Sequence, residues 1–241
     1  MWIRLVDFHA PFNGGISFDP AYPREDFGKK YQGTLKGAHT VVNDELWLIG
    51  GYHCGNWGVH QTTIMALDLK TNSWREVCEM PPEACKIERL SVGCIGGIVI
   101  MAGGLNRHNA TANAWHLNSA EAKRGEHKAW KKISPLPHAV ISASSFVHGN
   151  RFYVLGGYTL ASAGQAFPES DDKKWTGHVQ MYDFGTQTWS LKAEMPRRAF
   201  CRRTIASDST NYSYGGLVDG RWVFVEDSSL LQYVSLQRLV K

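Results

Sequence analysis

The chain has 241 residues, of which 43% are hydrophobic and 12% aromatic, and carries a formal net charge of +4. That is enough apolar material for one all-β domain of ordinary size, and so mild a charge makes no case for a nucleic-acid or membrane partner. No run approaches the ~20 apolar residues of a spanning helix, and the start, MWIRLVDFHA, lacks the long apolar stretch of a secretion signal.

In chain order, Trp2-Ile-Arg-Leu5 has the look of a single final strand cut off from its partners, and Pro11 to Lys30, rich in Gly, Pro, Asp and aromatics without period, reads as a long surface loop. Strands follow at Ala38–Val42 and Glu45–Ile49. Asn43-Asp44 makes their turn, because Asn and Asp tolerate the positive φ of a tight hairpin. A third strand is expected near Thr63 to Leu69, and Thr71-Asn72 turns into a fourth that begins at Trp74. The next unit repeats this order: Arg89 to Ile95, a Gly96-Gly97 turn, Ile98 to Ala102, Ala114 to Leu117, an extended polar loop over Asn118 to Lys128, then Trp130. A third unit gives Ala143 to Val147, Gly149-Asn150, Arg151 to Leu155, a long insertion from Thr159 to Gly177, His178 to Tyr182 and Trp189 to Lys192. The last gives Arg202 to Ala206, Tyr212 to Tyr214, Trp222 to Val225 and Leu230 to Leu236.

What binds these units together is a recurring apolar run into two glycines: LWLIGG ending at Gly51, VIMAGG at Gly104, YVLGG at Gly157 and a weaker YSYGG at Gly216. The second glycines are 53, 53 and 59 residues apart, a period that signals a repeat architecture. Trp74, Trp130 and Trp189 travel with them, and each is followed seven residues on by a proline (Pro81, Pro137, Pro196) that succeeds Met80, Leu136 or Met195. Two units share the approach to the tryptophan, LDLKTNSW and YDFGTQTW; in the second unit His116 and Asn118 stand where an aromatic-Asp pair would be.

Gly50-Gly51, Leu67-Asp68 and Trp74, with Gly103-Gly104, His116 and Trp130, and Gly156-Gly157, Tyr182-Asp183 and Trp189, make a pattern that resembles the kelch repeat from about Lys36 to the C-terminus. The resemblance implies an all-β, kelch-type β-propeller of about four antiparallel four-stranded blades. The expected organisation is one domain over 1–241: a terminal strand plus loop at 1–35, then repeats at about 36–88, 89–141, 142–200 and 201–241. Either Trp2–Leu5 completes the last blade, or the chain is a partial propeller.

The expected binding surface is the rim of loops at one end of the blades. One set follows each glycine pair: Tyr52, His53, Arg107, His108 and Tyr158. A second position lies fifteen residues ahead of each second glycine: Lys36, Arg89, Ser142 and Cys201. Arginine forks suit carboxylates, and the resemblance implies an arginine here that contacts an acidic peptide; Arg89 matches it and Lys36 does so in part. Trp57, between glycines, is a candidate contact anchor. The expected ligand-binding set is therefore Lys36, Tyr52, His53, Trp57, Arg89, Arg107, His108 and Tyr158. His53, Cys54 and His60 do not form a metal cluster in sequence, Arg197, Arg198, Arg202 and Arg203 read as blade-edge residues, and no catalytic motif is present.

The resemblance implies a non-catalytic interaction module without a cofactor, binding a protein or acidic peptide, with ubiquitin-ligase substrate recognition or cytoskeletal scaffolding as roles. The alternative is a propeller enzyme or lectin acting on a carbohydrate. Five cysteines (Cys54, Cys78, Cys85, Cys94, Cys201), odd in number and without zinc spacing, point to a reducing compartment and a cytoplasmic location.

Overall fold

The computed structural model describes residues 34–35, 37–53, 60–107, 109–125, 129–160, 173–192, 194–195, and short strands at 199–200, 203–206, 211–214, 216–218, 221–223 and 232–234; for 34–35, 52–53, 173 and the strands from 199 on, only backbone placement is described. The Trp2–Leu5 strand and the loop over Pro11 to Lys30 lie outside the described residues. The chain divides into two compact units, Met1–Glu88 and Arg89–Lys241.

The first unit holds one four-stranded antiparallel sheet, ordered Ala38–Val42, Glu45–Ile49, Thr63–Asp68, Ser73–Glu79. Asn43 and Asp44 both take positive φ (47° and 65°), the signature of the expected two-residue turn. The second unit holds two more such blades: Ser91–Ile95, Ile98–Ala102, Ala114–Asn118 and Trp130–Ile133, then Ser144–His148, Arg151–Leu155, Val179–Asp183 and Thr188–Leu191. Each apolar run of the repeat is the second strand of a blade. A strand packed on both faces has no solvent side to alternate with, which is why the runs are continuously apolar. In the third blade Phe152 and Val154 pack with Ile100, Ala102 and Ala114 of the second, while Tyr153 and Leu155 pack with Phe146, Val179 and Met181 on the opposite face.

The repeat motifs have local causes. Asp68 Oδ1 accepts from the backbone N–H groups of Lys70 and Thr71, and Asp183 Oδ1 from those of Gly185 and Thr186. The turn then closes through a left-handed residue, Asn72 or Gln187. Asp before a polar pair is thus a self-capping hairpin turn. The apolar-Pro pair ends the fourth strand. Met80, Leu136 and Met195 are buried, and their N–H groups bond the carbonyls of Thr62, Ala112 and Gly177 ahead of the third strand. The proline that follows has no N–H to continue a ladder.

Four expectations change. The strand expected from Arg89 starts at Ser91, because Arg89 has φ +55° and left-handed backbone cannot enter a strand. The loop expected over Asn118 to Lys128 opens with a one-turn helix, Ser119–Lys123. Asn118 caps it by accepting from Ala120 N and Glu121 N, while its side-chain amide donates to Glu121 Oε1; the spacing is that of a capping box, but the Asn118 backbone N–H bonds Ala129 O instead. The insertion after Gly157 carries a hairpin, Tyr158–Leu160 paired with Lys173–Trp175. In the fourth repeat Arg203–Ala206, Asn211–Tyr214 and Gln232–Val234 form one sheet, and the Trp222 strand, Arg221–Val223, instead joins Gly216–Val218 and Ala199–Phe200.

His116 fills the aromatic place of its repeat by stacking. Its ring lies parallel to Phe184 at 5.0 Å and edge-on to Tyr182 at 5.2 Å. Burial, reinforced by the charge of Lys131, lowers its pKa from 6.5 to about 4. The sign follows. Protonation favours the unfolded chain, so stability is full above pH 6.5 and falls between 6.5 and 4. A loss of about 1–2 kcal/mol is expected, below the full linkage value because solvent reaches part of the ring. Asp68 and Asp183, with lowered values, lose their contributions only at lower pH, and His60, also lowered by burial, weakens both proteins alike, so urea midpoints for wild type and His116→Phe should diverge across that window, with the variant falling less.

Candidate functional site

The glycine pairs create the end of the blades where loops gather. Gly50, Gly51, Gly103, Gly104, Gly156 and Gly157 all have φ between 62° and 103°, a left-handed conformation that side chains resist. In the second unit the linker Val140–Ala143 threads between two of these pairs. Gly104 N bonds Val140 O at 2.7 Å, and a Cβ on Gly157 would stand 2.6 Å from Ile141 O and 3.0 Å from Ala143 N.

At this end a small motif recurs. The residue after the second glycine pairs with a residue just ahead of the first strand: Tyr52 with Leu35, Tyr158 with Ile141, and Leu217 with Phe200. The next residue in each case is Lys36, Ser142 or Cys201, the position expected to serve binding. Lys36 lies outside the described residues, as do Trp57 and His108. Tyr52 and His53 form the strand paired with Thr34–Leu35.

Arg89 and Ser142 occupy the same repeat position 53 residues apart, and the fold brings them together. Both are left-handed without being glycine (φ 55° and 52°), a conformation that costs about 1–2 kcal/mol per residue. Ser142 N donates to Arg89 O at 3.1 Å, and Arg89 Nη1 donates to Ser142 Oγ at 3.4 Å. Arg89 Nε is buried without a hydrogen-bond acceptor, and among the described residues no carboxylate pairs with this guanidinium. Such a half-buried cation with free donors is suited to a carboxylate brought by a ligand.

Arg107, exposed and left-handed (φ +56°), ends the short strand Leu105–Asn106, which pairs with Asn109–Ala110. Tyr158 departs from the picture of an open rim aromatic. It is 3% exposed, its backbone exchanges two hydrogen bonds with Ile141, and its ring meets Trp175 edge-on at 5.6 Å. Ile141 and Tyr158, with Leu105, Ala110, Leu160 and Trp175, make an apolar floor beside the Arg89–Ser142 pair. Trp175 was not among the expected residues; the signal for it is a tryptophan directly after Lys173-Lys174 in a largely polar insertion.

His60 is lowered, chiefly by burial, with Glu88 opposing. Among the described residues no group of three or more His, Cys, Asp or Glu is arranged to hold a metal ion, and no helix is long and apolar enough to cross a membrane.

Four-stranded antiparallel blades with glycine pairs at one end and a buried apolar-Pro link define an all-β, kelch-type propeller architecture. No family model matches the chain. Curated proteins similar to it include Kelch-like protein 36 of Bos taurus, 24% identical over 195 residues that make 81% of this chain and 28% of that protein. Kelch domain-containing protein 10 of Homo sapiens is 25% identical over 207 residues, 80% of this chain and 42% of that protein. Kelch repeat and BTB domain-containing protein 12 of Homo sapiens is 29% identical over 97 residues, 38% of this chain and 14% of that protein. Repeat, blades and relatives alike make the chain similar to kelch-repeat proteins. It spans about 28% of the length of the kelch-like relatives it matches.

Proposed function

We propose that the chain is a non-catalytic protein-interaction module that takes an acidic peptide or protein segment at the glycine-pair end of its blades. The observation that carries this is the Arg89–Ser142 pair. Two side-chain-bearing residues are held in a costly conformation, and a half-buried guanidinium has donors to spare. Strain of that kind persists where the surrounding structure enforces it, and it clusters at ligand clamps. Lys36, Tyr52, His53, Trp57, Arg107 and His108 belong to loops of the same repeat positions and are proposed as further contacts, with Tyr158 as support beside Ser142. Substrate recognition for a ubiquitin ligase and scaffolding on the cytoskeleton are both roles such a module serves, and the cytoplasm is the compartment proposed.

The test is selection from a random-peptide display library, followed by fluorescence-polarisation titration of the enriched peptides. Enrichment in Asp and Glu is expected. Arg89→Ala should weaken binding about tenfold or more, as loss of a charge-assisted hydrogen bond does, and Arg107→Ala, at an exposed position, only about two- to threefold. No peptide enrichment, together with retention on a carbohydrate array, would move the reading to a sugar-binding propeller.

A further inference from the structure

A second cluster at the glycine-pair end of the third blade is used neither by the core nor by the Arg89 site. The imidazoles of His138 and His178 are stacked, centroids 4.4 Å apart and planes within 17°. His178 Nδ1 lies 3.1 Å from Glu194 Oε1. The backbone beneath both rings is fixed. Gln180, 1% exposed, accepts from His138 N at 2.8 Å and donates to His138 O at 3.1 Å. His178 N donates to Thr176 Oγ1, and His178 O accepts from Gly156 N. Downstream of His138 the linker is pinned at Val140 by Gly104 and Thr111 and at Ile141 by Tyr158. Only the His138 side chain, which is exposed, is left to respond to a change of charge.

We propose that this pair is a proton-operated element of the rim: closed as a stack while at least one ring is neutral, and opened by expulsion of the His138 ring when both are protonated. Imidazole is the side chain whose charge changes in the physiological range. Two unit charges about 4 Å apart repel appreciably even in water, and Glu194, the one carboxylate in contact with the pair among the described residues, can neutralise only one of them. Glu194 holds His178, so His138 is the ring that leaves. The protonation that opens the stack adds positive charge at the end of the blade near Ser142, and acidification should therefore tighten the hold on an acidic segment. That consequence rests on the function proposed above, whereas the ring motion does not.

The test is two-dimensional NMR of the full chain with histidine-selective labelling, reading the cross-relaxation between the two rings at pH 7.5 and 5.0. The expected result is a His138–His178 contact at pH 7.5 that disappears at pH 5.0 in the wild type, while in His178→Phe, with phenylalanine labelled as well, the contact between the His138 ring and the phenyl ring at 178 persists at both pH values, because the stack is kept and the second charge is not. A contact at both pH values in the wild type, or a loss at pH 5.0 that His178→Phe shares, would overturn it. Titration of a hexaglutamate peptide at pH 7.5 and 5.5 serves as the second arm. Tighter binding at pH 5.5 in the wild type but not in His138→Phe supports the charge consequence. No binding at either pH counts against the acidic-segment reading and leaves the NMR result to decide the ring pair.

Discussion

Gly157→Ala is expected to cost at least about 3 kcal/mol, enough to remove a large share of the stability of a domain this size. Two effects add. The residue sits at φ +86°, and the new Cβ would meet backbone on two sides, 2.6 Å from Ile141 O and 3.0 Å from Ala143 N, with Val140 Cγ2 at 2.7 Å. None of these is the far end of a flexible chain. Ile141 is held to Tyr158 by a reciprocal hydrogen-bond pair and Ser142 to Arg89, so relief would have to come from moving the linker that carries the binding position. Gly149→Ala is the control. It also has positive φ (55°), yet no atom lies within 4 Å of its Cβ, and it should cost only about 1–2 kcal/mol. Urea unfolding of the two variants reads the difference; equal losses would mean that conformation alone, and not the close approach of the linker, demands glycine in the pairs.

That same close approach explains what could be read from the sequence. The period, the strand pairs and the turns at Asn43-Asp44, Gly96-Gly97 and Asp68–Asn72 follow from backbone demands that leave few residue choices, so they are visible letter by letter. The Ser119–Lys123 helix was signalled by Asn118 and Glu121 in capping-box spacing, but one turn is too short for a hydrophobic period. The fourth repeat departs from the pattern, with no tryptophan after Gly216 at the distances seen in the other three, and Trp222 to Val225 reads as a further strand of the same blade. Its true signal is Asp219-Gly220 between Val218 and Arg221, which the register pairs directly, a two-residue hairpin signature. At the site, repeat spacing located Arg89, Ser142 and Tyr158 but could not assign them faces. Tyr158 is buried because Trp175 returns from a distant part of the insertion to cover it, and the Arg89–Ser142 contact spans 53 residues. The His138–His178 stack likewise joins a linker to a strand 40 residues on, a distance at which no local pattern operates.

Trp189→Ala is expected to cost about 3–5 kcal/mol, and the position shows why the repeat carries a tryptophan. It stands on the fourth strand of the third blade opposite Tyr182, and packs against a cluster drawn from two blades: Ile100, Ala102 and Ala114 from one, Phe152, Val154 and Tyr182 from the other, with Leu136 and Val140 of the linker. Its indole Nε1 donates to Ser134 O at 2.8 Å, so the ring also ties down the segment that leads from the second blade into the third. Truncation removes the packing of a large aromatic and leaves that carbonyl without its donor. Trp189→Phe separates the two, keeping most of the ring and losing the hydrogen bond, and should cost about 1 kcal/mol beyond the smaller volume. Phe152 meets the indole edge-on at 6.2 Å and Tyr182 at 5.2 Å, so a double-mutant cycle of Trp189→Ala with Phe152→Ala should show coupling on the order of 1 kcal/mol. A cycle that closes additively would mean the two rings stabilise the blades independently, and the tryptophan would then serve its own blade's edge and not the seam between the second blade and the third.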